Sequence, residues 1–130
     1  MSTQKRYLVV GASRGIGKHS VDQLKNEGHT VVGISRTAVD GLDQHFCLDV
    51  THDALPAIAE SLDGFVFCPG SIVLKSIRSV SAEDIRKEMD LNVISAVRVL
   101  QHVLPNLQQS AQAAVVFFST VAVQTGMPYH

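Results

Sequence analysis

Apolar residues form five short runs along the chain, separated by segments richer in glycine and polar residues. The runs are Tyr7–Val10, Thr30–Ile34, His45–Leu48, Gly64–Phe67 and Ala113–Phe118. Short apolar runs bounded by turn-forming residues predict strands. The second and fourth runs show no alternation of polar and apolar positions, which is typical of strands covered on both faces in a parallel sheet.

A helical pattern follows the first strand, from Gly15 to about Glu27. One side of this predicted helix carries Ile16, Val21 and Leu24, and the other side is polar. Gly28 comes directly after the last periodic residue, where a glycine commonly ends a helix. Together with the strands on either side, the helix predicts a strand–helix–strand unit with a right-handed crossover.

The longest helical pattern covers Ser81–Leu107, with Ser81 as the expected N-cap. We expect one apolar stripe of this helix to face the core: Ile85, Met89, Val93, Ala96, Val97, Leu100 and Leu104. Val99 and Val103 are also apolar and lie on the side that we expect to be the outer one. Pro105 predicts a kink or the last turn of the helix.

A shorter helix is expected between the third and fourth strands. It would open at Thr51 or His52 and run to about Ser61. Pro56 lies inside this segment, and proline disrupts the interior of a helix. The helix therefore has to start near Leu55 or be irregular before that residue.

The turn between the first strand and the first helix contains Gly11, Gly15 and Gly17. Glycine permits backbone conformations with positive φ and a close approach to a ligand. The first N–H groups of the helix, together with the positive end of its dipole, favour an anion at this position. Glycines alone are weak evidence, but a strand before and a helix after them predict a diphosphate site.

The spacing G-x-x-x-G-x-G resembles the cofactor loop of the short-chain dehydrogenase/reductase family, T-G-x-x-x-G-I-G, with Val10 in place of the threonine. The resemblance implies an α/β fold: a Rossmann-type doubly wound parallel sheet of strand order 3-2-1-4-5 in three αβα layers. Residues 1–130 would then form one NADP(H)-binding domain that lacks the C-terminal part of the family fold. The resemblance places cofactor contacts in this loop at Gly11, Ser13, Arg14, Gly15, Ile16 and Gly17.

The residues after the second strand favour NADP(H) over NAD(H). An acidic side chain at this point would bind the ribose 2′-hydroxyl. The chain has Ser35 and Arg36 instead, and a guanidinium can bind a 2′-phosphate. In the resemblance, Ser35 occupies the aspartate position of NAD-specific members, and Arg14 and Arg36 occupy basic positions of NADP-specific members. The alternative is that both arginines are ordinary solvated surface residues.

Two further segments of the cofactor site follow from the resemblance. Asp49 and Val50, after the third strand, would contact the adenine, although Asp49 could instead cap the next helix. After the fourth strand, family members read N-N-A-G, and this chain has Cys68, Pro69 and Gly70 at the last three positions. Gly70 would let the backbone pass close to the nicotinamide ribose.

Candidate catalytic residues also come from the resemblance. Asn92 lies in a Leu-Asn-Val segment whose asparagine holds a helix kink and a water of the proton relay in the family. Thr120, preceded by Ser119, occupies the position of the catalytic serine. The alternatives are a buried asparagine bonded to nearby backbone and hydroxyls that cap the strand end. Tyr129 is not assigned as the proton donor, because no Tyr-x-x-x-Lys sequence is present.

Two functions remain open. The first is an NADPH-dependent oxidoreductase acting on a small-molecule carbonyl or alcohol, with this chain supplying the cofactor-binding half. The second is a non-catalytic NADP(H)-binding module or sensor. We expect a fragment of a longer reductase or a chain that completes itself by assembly. In the family the helix Ser81–Leu107 packs across a two-fold axis, so a homo-oligomer through its outer residues is expected.

Composition limits the other possibilities. The net charge is −1 and no basic run is present, which argues against nucleic acid as a partner. No apolar stretch approaches the ~20 residues of a membrane span. The 2 cysteines and 6 histidines show no metal-ligand spacing, so we expect no metal site. Together with the polar N-terminus, these features predict a cytoplasmic protein of one domain.

Overall fold

The computed structural model describes residues 3–130. Five strands form one sheet: β1 (Arg6–Val10), β2 (Thr30–Ser35), β3 (Gln44–Cys47), β4 (Gly64–Phe67) and β5 (Ala114–Phe117). All neighbouring strands are parallel, and their order is β3-β2-β1-β4-β5. The predicted strands and the predicted strand order are confirmed, with strand ends that differ by one residue in most cases.

Three α-helices connect the strands: α1 (Gly15–Asn26), α2 (Ala82–Met89) and α3 (Ser95–Gln108). A π-helical turn, Asp90–Ile94, separates α2 from α3, and a 3₁₀ turn, Val121–Val123, follows β5. The single long helix expected over 81–107 is therefore divided. Pro105 lies inside α3, in its last turn, which is one of the two positions predicted for it.

The core has two parts, one on each face of the sheet. On one face, Leu8, Val10 and Phe65 belong to a buried cluster with Val99 and Val103 of α3. The other face is covered by α1, where Val9 and Val31 of the sheet belong to a cluster with Ala12 and Val21. The molecule therefore has three layers, helix, sheet and helix, as a doubly wound fold requires.

The buried side of α3 is the reverse of the expected one. Val99 and Val103, expected on the outer side, are buried in the core. Most of the stripe that was expected to face the core is exposed: Ile85, Met89, Val93, Val97 and Leu104. The whole helix is apolar on two sides, so periodicity alone did not distinguish the side that the sheet covers. The expected contact between subunits through Val99 and Val103 is therefore wrong.

The helix expected to open at Thr51 or His52 and run to Ser61 is absent, and this segment is irregular. Three side chains of α3, spaced four residues apart, hold it by donating hydrogen bonds to its carbonyl groups. Arg98 bonds Val50 O and Asp53 O, His102 contacts Pro56 O, and Asn106 bonds Ile58 O and Glu60 O. In a helix these carbonyls would accept hydrogen bonds from the helix's own N–H groups. Here Arg98, His102 and Asn106, which we call the ladder on α3, donate these bonds instead.

Candidate nucleotide-binding cleft

A cleft of about 790 Å³ lies at the carboxyl ends of the strands. Its walls come from the segments that follow β1, β2, β3 and β4, and from one side of α2 and the π-helical turn. The lining residues include Gly11, Ser13, Arg14, Ser35, Arg36, Asp49, Val50, Cys68, Pro69 and Gly70. The strand order reverses between β1 and β4, and ligands of open α/β sheets bind at such a point.

The loop between β1 and α1 is tightly packed around Gly11 and Gly17. Gly11 has φ +81°, and its N–H donates to Ile34 O at 2.8 Å. A Cβ added at Gly17 would lie only 1.9 Å from Gly11 O. Gly17 therefore serves the approach of α1 to the loop backbone. Gly15, Ile16 and Gly17 are outside the set of residues that line the cleft.

Ile16 does not pack where the helical pattern placed it. Its side chain is 57% exposed, whereas Val21 of the same helix is buried. The face of α1 that covers the sheet is formed by Gly17 and Val21, with Leu24 partly buried beside them. Because Gly17 has no side chain, the first turn of α1 can approach the sheet closely although the Ile16 side chain does not pack against it.

The N-terminus of α1 differs from that of α2. No side chain caps α1, and its first turn contains no acidic residue. In α2, Ser81 and Asp84 form a complete capping box. The hydrogen bond from Lys75 and those from Ser81 lower the pKa of Asp84 to about 2. The N-terminus of α2 is therefore satisfied internally, whereas the first N–H groups of α1 are available to an anion.

The segment after β2 combines a buried serine with an exposed arginine. The Ser35 hydroxyl donates to Thr37 O at 2.7 Å and lies 2.7 Å from His45 Nε2. Ser35 is only 6% exposed, so its hydroxyl is engaged within the protein. Arg14 and Arg36 both line the cleft, and neither forms an ion pair with any residue in 3–130.

The segment after β3 is a tight turn closed by two carboxylates. Asp49 Oδ1 accepts hydrogen bonds from the Thr51 hydroxyl at 2.6 Å and the Thr51 N–H at 2.9 Å. These bonds lower the pKa of Asp49, and the bond from the Thr51 hydroxyl contributes most. Asp53 Oδ2 accepts from the Asp49 N–H at 2.7 Å. Asp49 thus caps a turn, not a helix, while Asp49 and Val50 still line the cleft.

The segment after β4 places a protonated thiol in the cleft. The Cys68 N–H donates to Val10 O at 2.9 Å, which continues the pairing of β4 with β1. Burial raises the pKa of the Cys68 thiol to about 11. A thiol with such a pKa is not ionised near neutral pH, so Cys68 is a poor nucleophile.

Asn92 connects the π-helical turn to the loop after β4. Its Oδ1 accepts from the Ser71 N–H at 3.1 Å, and its Nδ2 donates to Ser71 O at 3.1 Å and Glu88 O at 2.9 Å. A Cβ added at Gly70 would lie 3.2 Å from Asn92 Oδ1. The asparagine is exposed, so it is not the buried amide of the alternative interpretation, although it does bond nearby backbone at Glu88 O. Its position at a break in the helix agrees with the expected kink.

Ser119 and Thr120 follow β5 at the same edge of the sheet. Both are exposed, and neither belongs to the residues that line the cleft. Thr120 Oγ1 accepts a hydrogen bond from the Ala122 N–H at 3.2 Å and caps the 3₁₀ turn. The structure thus gives Thr120 the capping contact that the sequence left open as an alternative.

Comparison with known proteins identifies the family. The family model described as short chain dehydrogenase matches residues 5–130. This chain belongs to the short-chain dehydrogenase family. The structure of a family protein from Francisella tularensis aligns with a TM-score of 0.81 at 27% identity, covering 98% of this chain and 55% of that one.

Two curated relatives resemble the chain in sequence. A 3-ketodihydrosphingosine reductase of Bacteroides thetaiotaomicron is 24% identical, with 94% of this chain and 49% of the relative covered. An NADPH-dependent pterin aldehyde reductase of Arabidopsis thaliana is 28% identical, with 87% of this chain and 55% of the relative covered. The chain spans about half the length of these curated relatives.

Sequence reasoning missed several residues that line the cleft of this short-chain dehydrogenase. Thr37, Thr51 and His52 belong to the loops after β2 and β3, and Lys87, Asp90 and Leu91 come from α2 and the π-helical turn. The last three are spaced as i, i+3 and i+4, which places them on one helical face. That spacing was visible in the sequence, but nothing indicated that this face turns toward the cleft.

The part of the chain that the structure describes contains neither a candidate metal site nor a candidate membrane-spanning helix. Within residues 3–130, no group of three or more histidine, cysteine or acidic side chains could hold a metal ion. None of the helices in this range is both long and apolar enough to span a membrane.

Proposed function

We propose that this chain supplies the NADP(H)-binding domain of an oxidoreductase that transfers hydride between the cofactor and a small-molecule carbonyl or alcohol. The observation that carries the proposal is the combination of an uncapped α1 N-terminus with two arginines free of ion pairs, Arg14 and Arg36, at one cleft. A diphosphate and a 2′-phosphate are the anions that would satisfy both features.

The residues around the cleft fit the parts of a dinucleotide. The N–H groups of residues 13–17 would hold the diphosphate, because those of Gly11 and Ala12 already bond Ile34 O, and Arg14 and Arg36 would hold the 2′-phosphate. Asp49 and Val50 would bound the adenine, as the family resemblance implies. The segment 68–70 would lie against the nicotinamide ribose. When bound, the cofactor supplies the hydride chemistry, and the protein binds and orients it.

Catalytic roles for Ser119, Thr120 and Asn92 are proposed from the resemblance. A hydroxyl at Thr120 would donate a hydrogen bond to the substrate oxygen and polarise the carbonyl group. Its oxygen already accepts from the Ala122 N–H, which leaves the hydroxyl proton free to donate. Asn92 would hold the break between α2 and α3 and, through Ser71, the loop beside the nicotinamide.

The support for a cofactor with a 2′-phosphate comes from one relative and from two positions of this chain. The pterin aldehyde reductase, 28% identical to this chain, is NADPH-dependent by name. In this chain the support comes from Arg36 and from the absence of an acidic residue at Ser35.

Assembly and location are proposed on the same basis. A homo-oligomer would use the exposed side of α2 and α3, including Ile85, Val93 and Val97, instead of the buried Val99 and Val103. An exposed apolar stripe of this kind favours contact with another protein surface. A cytoplasmic location agrees with the two free cysteines, Cys47 and Cys68, since disulfides are rare in that compartment.

Cofactor titration tests the proposal. In the natural full-length protein, NADPH and NADH binding would be followed by nicotinamide fluorescence. We expect Arg36→Asp to weaken NADPH binding by about tenfold to a hundredfold, because a charge-assisted contact to the 2′-phosphate is lost. NADH binding should change little. Arg86→Asp, on the exposed side of α2, is the control for charge alone.

Two outcomes would decide against parts of the proposal. Equal affinity of the unchanged protein for NADPH and NADH would contradict the NADP(H) preference. Tight NADPH binding without oxidation of NADPH by any of a panel of aldehydes and ketones would favour the alternative function, a non-catalytic NADP(H)-binding module or sensor.

A further inference from the structure

A chain of contacts links β3 to the end of β2. In the strand register, Gly33 lies opposite His45, and Ser35 lies opposite Cys47. A Cβ added at Gly33 would lie 2.4 Å from Leu42 Cδ1 and 3.4 Å from His45 Cδ2. Because Gly33 has no side chain, the His45 ring can lie over β2 and reach Ser35.

The hydrogen-bond geometry fixes the direction of these bonds. The Ser35 hydroxyl has a single proton, and it donates that proton to Thr37 O, which can only accept. The bond between Ser35 Oγ and His45 Nε2, 2.7 Å long, must therefore be donated by the histidine. His45 thus carries a proton on Nε2 in this arrangement.

These bonds surround Arg36. The bond from Ser35 to Thr37 O closes a tight turn with Arg36 at its centre. On the other side, the Cys47 thiol contacts Arg36 O at 3.1 Å. The Arg36 backbone is thus held on one side by the bond from Ser35 to Thr37 O and on the other by Cys47 of β3, while its side chain is exposed and lines the cleft.

We propose that His45 is a positioning residue which, through Ser35, holds the Arg36–Thr37 turn so that Arg36 is presented to the 2′-phosphate of the cofactor. This inference rests on the proposed NADP(H) binding. Burial of Ser35 matters here, because bulk water cannot easily replace the donated bond from His45. His45 does not touch the phosphate itself and acts only through Ser35 and the turn.

The test uses the natural full-length protein and two cofactor fragments, 2′,5′-ADP and 5′-AMP, with binding measured by calorimetry. The two fragments differ in the 2′-phosphate, so the ratio of their affinities isolates that group. We expect His45→Phe and Ser35→Ala to weaken 2′,5′-ADP about fivefold, the equivalent of one lost hydrogen bond. Binding of 5′-AMP should change by less than about twofold.

Two further variants separate positioning from general loss of structure. His45→Gln keeps an N–H donor and should stay close to the unchanged protein in the affinity ratio. His19→Phe, at an exposed position of α1, controls for the added aromatic ring. In an Arg36→Ala background, His45→Phe should cause no further loss of 2′,5′-ADP affinity, because residues that act through one group are not additive.

The outcomes distinguish this inference from the proposed function. If the unchanged protein shows no preference for 2′,5′-ADP over 5′-AMP, the NADP(H) preference fails and the inference fails with it. If the preference is present but survives His45→Phe and Ser35→Ala, or if their losses add to that of Arg36→Ala, only the role of His45 is overturned. Should His45→Phe fail to fold, Ser35→Ala decides in the same way, both alone and in the Arg36→Ala background.

Discussion

Strands β1 and β5 flank the same strand, β4, and both are apolar, yet their surroundings differ. In β1, Leu8, Val9 and Val10 are buried. In β5, every residue is exposed. Strand β1 has a strand on each side and helices over both faces, whereas β5 lies at the edge of the sheet. An apolar pattern therefore predicts a strand, and its neighbours determine how far it is buried.

Helix α3 shows the same contrast across its own axis. Val99 and Val103 pack into the core beside Leu8 and Phe65, while Val97 and Leu104 are exposed. The two sides are almost equally apolar in sequence. The two sides differ only in that one of them contacts the sheet. The same substitution made once on each side can therefore test whether burial or residue type governs stability.

The largest expected effect comes from a charge placed on the buried side of α3. Val99→Asp would bury a carboxylate without a partner, and we expect a loss of about 4 kcal/mol or complete unfolding. Val97→Asp, on the exposed side, should change the free energy of unfolding by less than about 0.5 kcal/mol. Urea denaturation measures both. Similar losses at the two positions would contradict the assignment of the buried side.

The same pair tests the proposed assembly. If the exposed side of α2 and α3 is a subunit contact, Val97→Asp should shift the protein to a smaller species in sedimentation velocity while it remains folded. An unchanged sedimentation coefficient for folded Val97→Asp would contradict a contact at Val97.

Truncation of an aromatic ring gives the next largest effect. Phe65 in β4 is 0% exposed and Phe118 after β5 is 50% exposed. Phe65→Ala should cost about 4 kcal/mol, because it removes a fully buried ring and leaves a cavity. Phe118→Ala should cost about half as much, in proportion to the area it buries. Thermal and urea unfolding would measure the difference, and equal losses would mean that the edge of the sheet is covered in solution.

The contrast between β1 and β5 also explains which parts of the fold were predictable. Strands, their order and α1 follow from local apolar runs, glycine positions and the family resemblance. The buried side of α3 did not, because Val97 and Val99 have the same chemistry and differ only in what lies against them. The segment between β3 and β4 is irregular because Arg98, His102 and Asn106 bond its carbonyl groups. These partners lie far apart in sequence, so no local pattern indicated them.

The candidate site was predictable to a similar extent. Glycine spacing and the residues after each strand indicated most of the cleft lining, because the carboxyl ends of parallel strands meet at one edge. The contact of Ser35 with His45 was not predictable, because it depends on side-chain direction and strand register, which no local pattern contains. The capping contact of Thr120 was one of the two alternatives that the sequence left open.

An intermediate effect is expected for the ladder that replaces the missing helix. Arg98 donates to Val50 O and Asp53 O, next to the cleft. Arg98→Met keeps much of the side-chain volume but leaves these carbonyls without their donor, so a loss of about 2 kcal/mol is expected. Arg86→Met, at an exposed position of α2, should lie within about 0.5 kcal/mol of the unchanged protein. Urea unfolding would measure the free energy of unfolding of both variants. Equal losses would indicate that water replaces the Arg98 side chain as the donor.

The smallest expected effect concerns Asp63, which connects the two strands of the comparison. Its carboxylate accepts from the Arg6 N–H of β1 at 2.9 Å and from the Ser110 hydroxyl at 2.7 Å, and its carbonyl accepts from the Ala114 N–H of β5. The bond from the Arg6 N–H lowers the pKa of Asp63 most, and the bond from the Ser110 hydroxyl lowers it further. The ionised form is therefore favoured in the folded state, and protonation weakens the link between the strands.

A pKa that is lower in the folded than in the unfolded state has a defined effect on stability. The contribution of Asp63 is fully present above its unfolded pKa of about 4 and is lost as the pH falls through its lower folded value. Asp63→Asn should therefore be less stable than the unchanged protein at pH 7, by about 1 kcal/mol, with a difference that shrinks in this acid range. Asp40→Asn, at an exposed position, controls for the loss of one charge. A difference between Asp63→Asn and the unchanged protein that stays constant from pH 7 to about pH 3 would show that the charge of Asp63 does not strengthen its bonds to Arg6 and Ser110.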